Sequence, residues 1–362
     1  MSSCFNGGVK ISIFGESHSK GIGVVLDNLP AGEEIDLDKI GVFMARRAPK
    51  KDGTSTMRSE KDIPEILSGL FNGKTTGTPL SAVIMNTDQH SSDYGNISHI
   101  ARPAHADYTG YLRYNAANDP RGGGHFSGRL TAPLVFAGAV CAQILEHRGI
   151  YTGAHIQRIQ NISDEKFDPV RINRETLELV KNRPFPTVSE KSEQEMREVI
   201  NSARENCDSV GGIIECAAVG FPAGIGSPMM DGLENIISQL VFAIPAVKGI
   251  EFGIGFAAAD LFGSENNDEF TIKDGKIVTN TNNHGGILGG ISSGMPIVFR
   301  AAFKPTPSIF REQNSVDFKT LTEEKLLIKG RHDPCVVPRA VPCVESALNI
   351  ALVSALLNNP KI

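Results

Sequence analysis

The chain has 362 residues, 40% hydrophobic and 21% charged, with a formal net charge of −5. That composition is ordinary for a soluble globular protein and fits one large α/β domain or two smaller ones. The acidic balance argues against a nucleic-acid partner. No uninterrupted apolar run reaches the ~18 residues of a membrane span, and the first ten or so residues lack the apolar core of a signal peptide, so no membrane contact and a cytoplasmic location are expected.

In chain order, Val9–Phe14 alternates and ends at Gly15-Glu16-Ser17-His18, which predicts a strand delivering a loop, with Gly21–Leu26 as its partner strand. Asp36–Arg47 reads as a helix capped by Asp36, with Ile40, Phe43 and Met44 at helical spacing. Ala48–Lys61 is polar and basic without apolar periodicity, and is expected to act as a lid that orders over substrate. Leu130–His147 is almost wholly apolar and predicts a buried helix. Ser189–Asn206 reads as a charged surface helix, Gly211–Val219 as a buried strand and Asp231–Phe242 as a further helix. Met295–Phe303 predicts a strand running into Lys304-Pro305-Thr306-Pro307-Ser308, and Pro342–Leu357 an apolar helix opened by its proline. No repeat or linker divides the chain. The expectation is one α/β domain over 1–362, with the charged stretch 161–210 as an excursion.

The chemistry concentrates around residue 100. Arg102-Pro-Ala-His105-Ala-Asp107 is followed by Arg121-Gly-Gly-Gly-His125-Phe126-Ser127-Gly-Arg129. Glycines let backbone N–H groups approach a ligand, arginines supply forked donors for phosphate and carboxylate, and histidines exchange protons near neutral pH. Together they describe a pocket for a multiply anionic small molecule undergoing acid–base chemistry. His18, His105, His125, His284 and His332 share glycine- or arginine-rich surroundings, whereas His90, His99, His147 and His155 sit in ordinary polar contexts that suggest surface positions.

A metal site is not expected, because HExxH and paired HxH spacings are absent and the arginines would repel a divalent cation. The glycine-dense run from Asn282 to Gly294 fits neither a dinucleotide fingerprint nor a Walker loop. It suits backbone lining a flat aromatic cofactor. Lys304-Pro305-Thr306-Pro307-Ser308 offers a cation and two hydroxyls on a stiff frame for a cofactor phosphate. In Gly330-Arg331-His332-Asp333-Pro334-Cys335, apolar neighbours suggest a partly buried Asp333 beside an arginine that keeps it ionised, a candidate base. The six cysteines show no CxxC pairing, and Cys141, Cys216 and Cys343 sit in apolar runs as small core residues.

Taken in order, Gly15-Glu-Ser-His18, Arg102-Pro-Ala-His-Ala-Asp107, Arg121-Gly-Gly-Gly124, the Gly285–Gly294 run, Lys304-Pro-Thr and Gly330-Arg-His-Asp-Pro-Cys335 closely resemble the chorismate synthase family. The resemblance implies a homotetrameric lyase with a β-α-β sandwich core. It would convert 5-enolpyruvylshikimate 3-phosphate to chorismate and phosphate with reduced FMN, NADPH being a possible electron source. It implies His18 as proton donor to the leaving phosphate, His105 beside the flavin, and Asp333 assisting loss of the substrate proton. His125, Phe126, Ser127, Pro245, Ala246, Gly289, Lys304, Pro305, Thr306, Pro307, Ser308 and Arg331 match the flavin-contacting positions. Arg47, Arg102 and Arg129 match substrate-anion positions, Arg47 also falling at a nicotinamide-nucleotide contact. The chain departs from many members at His125-Phe126-Ser127 (Arg-Ser-Ser), at Pro245-Ala246 (Asn-Ala) and at Gly53 (arginine), where Lys50 and Lys51 are nearby. Read from the residues alone, an NADPH-dependent redox flavoenzyme or a non-catalytic flavin-binding module stands as the alternative.

Overall fold

The computed structural model describes residues 3–49, 62–87, 99–328 and 333–359. Most of the expected Ala48–Lys61 lid, including Lys50, Lys51 and Gly53, lies outside these residues, as do His90, Arg331 and His332.

Two five-stranded antiparallel sheets form the outer layers. The first runs in the order Cys4–Asn6, Lys10–Gly15, Gly21–Asp27, Leu80–Met85, Pro64–Ser68. Its central strand turns Ile22, Val24 and Leu26 onto one face, and all three are fully buried, as period-two alternation requires. The second sheet runs Val247–Phe252, Ile297–Phe303, Gly212–Val219, Tyr151–Ile159, Ile162–Ser163. In it Cys216 pairs with Phe299 on one side and Ala154 on the other.

Two apolar helices fill the space between. Thr131–Glu146 lies on Gly21–Asp27 and Leu80–Met85 of the first sheet and packs along Val337–Leu357, which rests on Tyr151–Ile159 and Gly212–Val219 of the second. The two helices approach closely at Gly138, where a Cβ would collide with Ser346. The result is a β-α-β sandwich with a core continuous from Phe5 to Ala355. Every residue of Thr131–Leu145 is buried, so this helix is held by packing on all sides rather than by an amphipathic stripe. Truncating its fully buried Phe136 to alanine would cost about 3–5 kcal/mol. Outside the second sheet, helix Arg174–Lys181 seats Leu177 and Val180 against Ala217 and Val298.

Both the Arg121–Glu146 run and Val337–Leu357 are long and apolar enough to cross a bilayer, but 94% and 89% of their most apolar windows are buried inside the protein. Asp36 caps helix Leu37–Ala45 as its sequence suggested, accepting from the backbone N–H of Asp38 and Lys39.

Two helix starts differ from expectation by two residues or more. The last helix begins at Val337, five residues before Pro342; Pro338 occupies the first turn, where a missing N–H is harmless, and Pro342 lies inside the helix. Helix Leu233–Phe242 begins two residues after Asp231, which closes a separate 3₁₀ turn, Met229–Asp231. His155 is a larger correction. It is buried, not at the surface, with Nε2 3.0 Å from Glu215 and Nδ1 3.3 Å from Asp164. It sits on strand Tyr151–Ile159, in which every residue from Thr152 to Gln157 is buried, so strand packing overrides the polar local context.

Candidate active site

The turn between the first two long strands carries Ser17 and His18, both buried. It is tied to the triple glycine, since the Ser17 N–H donates to the Gly124 carbonyl at 3.0 Å. Gly122, Gly123 and Gly124 all have positive φ (59°, 85° and 54°), a region L-residues avoid. A Cβ at Gly122 would strike the His18 imidazole, and one at Gly124 would strike the Asp119 carbonyl. The glycines are therefore required both by backbone conformation and by the closeness of His18.

A chain of polar contacts continues from this turn. Asn86 donates to the Glu16 and Ser19 carbonyls and accepts from Arg129 Nε at 3.1 Å. Asp62 bridges Arg129 and Arg47, one carboxylate oxygen to each. Arg47 also donates from Nε to Thr131 at 2.8 Å and from Nη2 to the Gly128 carbonyl. Arg339 donates from Nε to the Arg47 carbonyl at 3.1 Å and from Nη1 to Asp333 at 2.7 Å. The His18 turn and Asp333 are thus joined through three arginines, one asparagine and one buried carboxylate. Burial alone would raise the Asp62 carboxyl, but Arg47, Arg129 and Arg339 together reverse this and hold it below the ordinary carboxylate range.

A second cluster forms where the Arg102–His105 loop meets Lys304–Ser308. His105 Nε2 lies 2.7 Å from Ser308 Oγ, and Lys304 Nζ donates to the Ala104 carbonyl at 2.9 Å. The Lys304 N–H donates to the carbonyl of Ala246, whose φ is +76°. Burial, helped by Lys248, lowers the Lys304 ammonium from its usual range. Ser209 Oγ donates to the Thr306 carbonyl at 2.6 Å, fixing the loop between Pro305 and Pro307. Arg102 links the clusters: its Nη2 lies 3.9 Å from where a Cβ on Gly123 would fall.

The structure therefore brings together His18, Arg47, Arg129 and Asp333 in one network, and Ala246, His105 and Lys304–Ser308 in another. Other positions are engaged differently. His125 is held by Ser3 and by the Gly15 carbonyl, so its ring locks the turn in place. Phe126 is half exposed, close to Gly110. Ser127 Oγ accepts from the Arg129 N–H, capping the short turn that leads into the buried helix. Gly289 sits exposed at the tip of the Ile287–Leu288/Ile291–Ser292 hairpin, beside Gly290, which packs on Ser227 and Gly232. His284 pairs with Asp268, and burial lowers its pKa.

One sequence expectation needs correcting. Arg121 does not offer its fork inward: it is exposed, and Asp119 grips it through both carboxylate oxygens. Asp333 does pair with an arginine: among the described residues it is Arg339, on the last helix, Arg331 lying outside them. Arg102 likewise makes a two-pronged pair with Asp107, both contacts at 2.7 Å. Asp62, Asn86 and Arg339 escaped the sequence reading because none lies in a glycine- or histidine-rich segment.

The residues fit a flavin phosphate and an oxyanion on one further count. The buried hydroxyls of Ser17 and Thr306 find no hydrogen-bond partner among the described residues, and such atoms normally have one. One lies beside His18 and the other inside the Lys304–Ser308 loop. Cys141 and Cys335 are not poised as nucleophiles: burial pushes their thiols up to about 12.

Two antiparallel sheets around a helical layer, with histidines and arginines gathered at their connecting loops, place the chain among mixed α/β enzymes of the β-α-β sandwich class. A family model described as chorismate synthase matches residues 9–357. A chorismate synthase from Thermococcus kodakarensis is 45% identical over 349 residues, covering 96% of each chain. One from Lancefieldella parvula is 44% identical over 371 aligned positions, covering 99% of this chain and 97% of its own. A crystal structure of a chorismate synthase superposes with a TM-score of 0.75 at 28% identity, covering 97% of this chain and 92% of that one. The chain belongs to the chorismate synthase family, carbon–oxygen lyases that form chorismate.

Proposed function

We propose that the chain converts 5-enolpyruvylshikimate 3-phosphate to chorismate and phosphate by a 1,4-elimination that depends on reduced FMN. The observation that carries this reading is the meeting of His18 with the triple glycine and, through Asn86, with the buried arginines. That arrangement sets a proton donor beside donors for an oxyanion. His18 protonates the departing phosphate, while Arg47, Arg102 and Arg129 orient the anionic groups of the substrate. Asp333, held by Arg339, assists removal of the substrate proton. Lys304, Thr306 and Ser308 hold the phosphate-bearing end of the cofactor, and His105, joined to Ser308, stabilises its charged form. Reduced flavin supplies electron density transiently, with no net oxidation or reduction.

The reading extends to one catalytic domain over the whole chain, supported by its continuous core. It also extends to a cytoplasmic homotetramer, in keeping with exposed apolar residues such as Phe256, Phe262 and Ile272.

The test is stoichiometric. Under anaerobic conditions one equivalent of reduced FMN supports many equivalents of phosphate and chorismate. Phosphate release that instead tracked consumption of a reductant one for one would overturn the elimination.

A further inference from the structure

The Arg47–Asp62–Arg129 triad is more than a packed ion pair. All three side chains are 5% exposed or less, so three full charges sit nearly out of water, where each is costly unless matched. Among the described residues, Arg47, Arg129 and Arg339 stand around Asp62, and Arg339 also pairs with Asp333. Asp62 reaches this place from a left-handed backbone, φ +46°, a conformation aspartate tolerates better than most residues but which still carries strain. Strain spent on seating a carboxylate between two arginines points to a role for that carboxylate.

We infer that Asp62 is the resident counter-anion of the substrate-anion pocket: it orients Arg47 and Arg129 as a pair and lowers their affinity for an incoming oxyanion, which must share or take over the donors that Asp62 holds. This rests on the assignment of Arg47 and Arg129 to the substrate site. Arg47 makes the competition concrete, since each of its three nitrogens already has an acceptor within the chain. An oxyanion entering the pair gains these donors only by weakening the hold of Asp62. A pocket built this way binds its anion firmly enough to position it and loosely enough to release phosphate after each turnover. Asp62 is in this sense a positioning residue, acting through the arginines and not on the reacting atoms.

The experiment compares the wild-type chain with Asp62→Asn, which keeps the size, removes the charge and leaves one acceptor oxygen in place of two. Inorganic phosphate is titrated calorimetrically into each, with malonate in parallel to separate a phosphate subsite from a carboxylate one. Asp62→Asn is expected to bind at least one of the two anions about tenfold more tightly or better, and phosphate to inhibit its turnover at correspondingly lower concentration. A merely structural role would not tighten anion binding. Equal or weaker binding of both anions by the folded variant overturns the inference and leaves the proposed reaction untouched. Wild-type protein that binds neither anion at these arginines overturns the site assignment and the inference with it. Should Asp62→Asn fold poorly, two measurements decide. Its melting temperature should rise more steeply with phosphate than that of wild type. In wild-type protein carrying ¹⁵N-arginine, the Arg47 and Arg129 Nε–H resonances should move together on adding phosphate. Resonances that stay still at saturating phosphate overturn the proposal.

Discussion

Replacing Arg339 tests whether Asp333 works as a positioned base. Arg339 is the third residue of the Val337–Leu357 helix and does two things there. Nη1 holds Asp333 at 2.7 Å, and Nε holds the Arg47 carbonyl at 3.1 Å. The ion pair is neither dry nor free in water, with side-chain exposures of 21% and 16%. Its worth falls between the ~0–1 kcal/mol of an exposed pair and the ~3–5 kcal/mol lost on breaking a buried one. With solvent screening, Arg339→Gln is expected to cost about 1–2 kcal/mol of stability, a shift of only a few degrees in melting temperature. Activity should suffer far more. A displacement of the Asp333 carboxylate by about 1 Å would cost on the order of a hundredfold in rate. Arg339→Lys retains the charge without the two-point grip and is expected to fall between wild type and glutamine. The assay is anaerobic phosphate release with excess reduced FMN, with kcat and KM determined separately at fixed folded-protein concentration. The loss is expected in kcat, since neither contact of Arg339 is to the donors proposed to hold the substrate. Full wild-type kcat in a folded Arg339→Gln would refute the reasoning.

Gly122→Ala places a Cβ against the His18 imidazole at a φ of +59°, so it should abolish turnover and lower the melting temperature; a variant with normal activity would show that the turn is adaptable. Thr306→Val removes a buried hydroxyl that has no partner among the described residues, so stability should hold or rise while affinity for reduced FMN falls severalfold, as read by flavin titration; unchanged affinity would take Thr306 out of the cofactor site. His155 is buried, and although burial alone would lower its pKa, Asp164 and Glu215 raise it above the usual value. Its contribution to stability is therefore complete below the unfolded-state pKa of about 6.5 and is lost as pH rises through the higher folded value, so His155→Gln should flatten the alkaline side of the stability profile, and urea melts at several pH values would detect it. Asp62 behaves in the opposite sense. Its depressed pKa gives stability that is present above about pH 4 and lost as pH falls through the lower folded value, so Asp62→Asn should flatten the acid side.

The local rules were legible wherever the chain repeats itself at short range. Period-two alternation identified the strands around Gly15–His18, and the aspartate at 36 marked a helix start, because capping and alternation depend only on near neighbours. The glycine run, the histidines and the Lys304–Ser308 loop pointed to a candidate site for a similar reason: residues with special backbone freedom or charge lie side by side in the chain. What the tertiary structure alone decided was which charge answers which. Arg47 and Arg129 meet at Asp62 across separations of 15 and 67 residues, and His155 meets Glu215 across 60. Nothing in the local sequence around these groups encodes the partner. Two sheets closing on a helical layer remove the residues between from water, and a charge removed from water needs its counter-charge within a few ångströms. Sequence supplies the charged groups, whereas the packing of distant elements determines their neighbours.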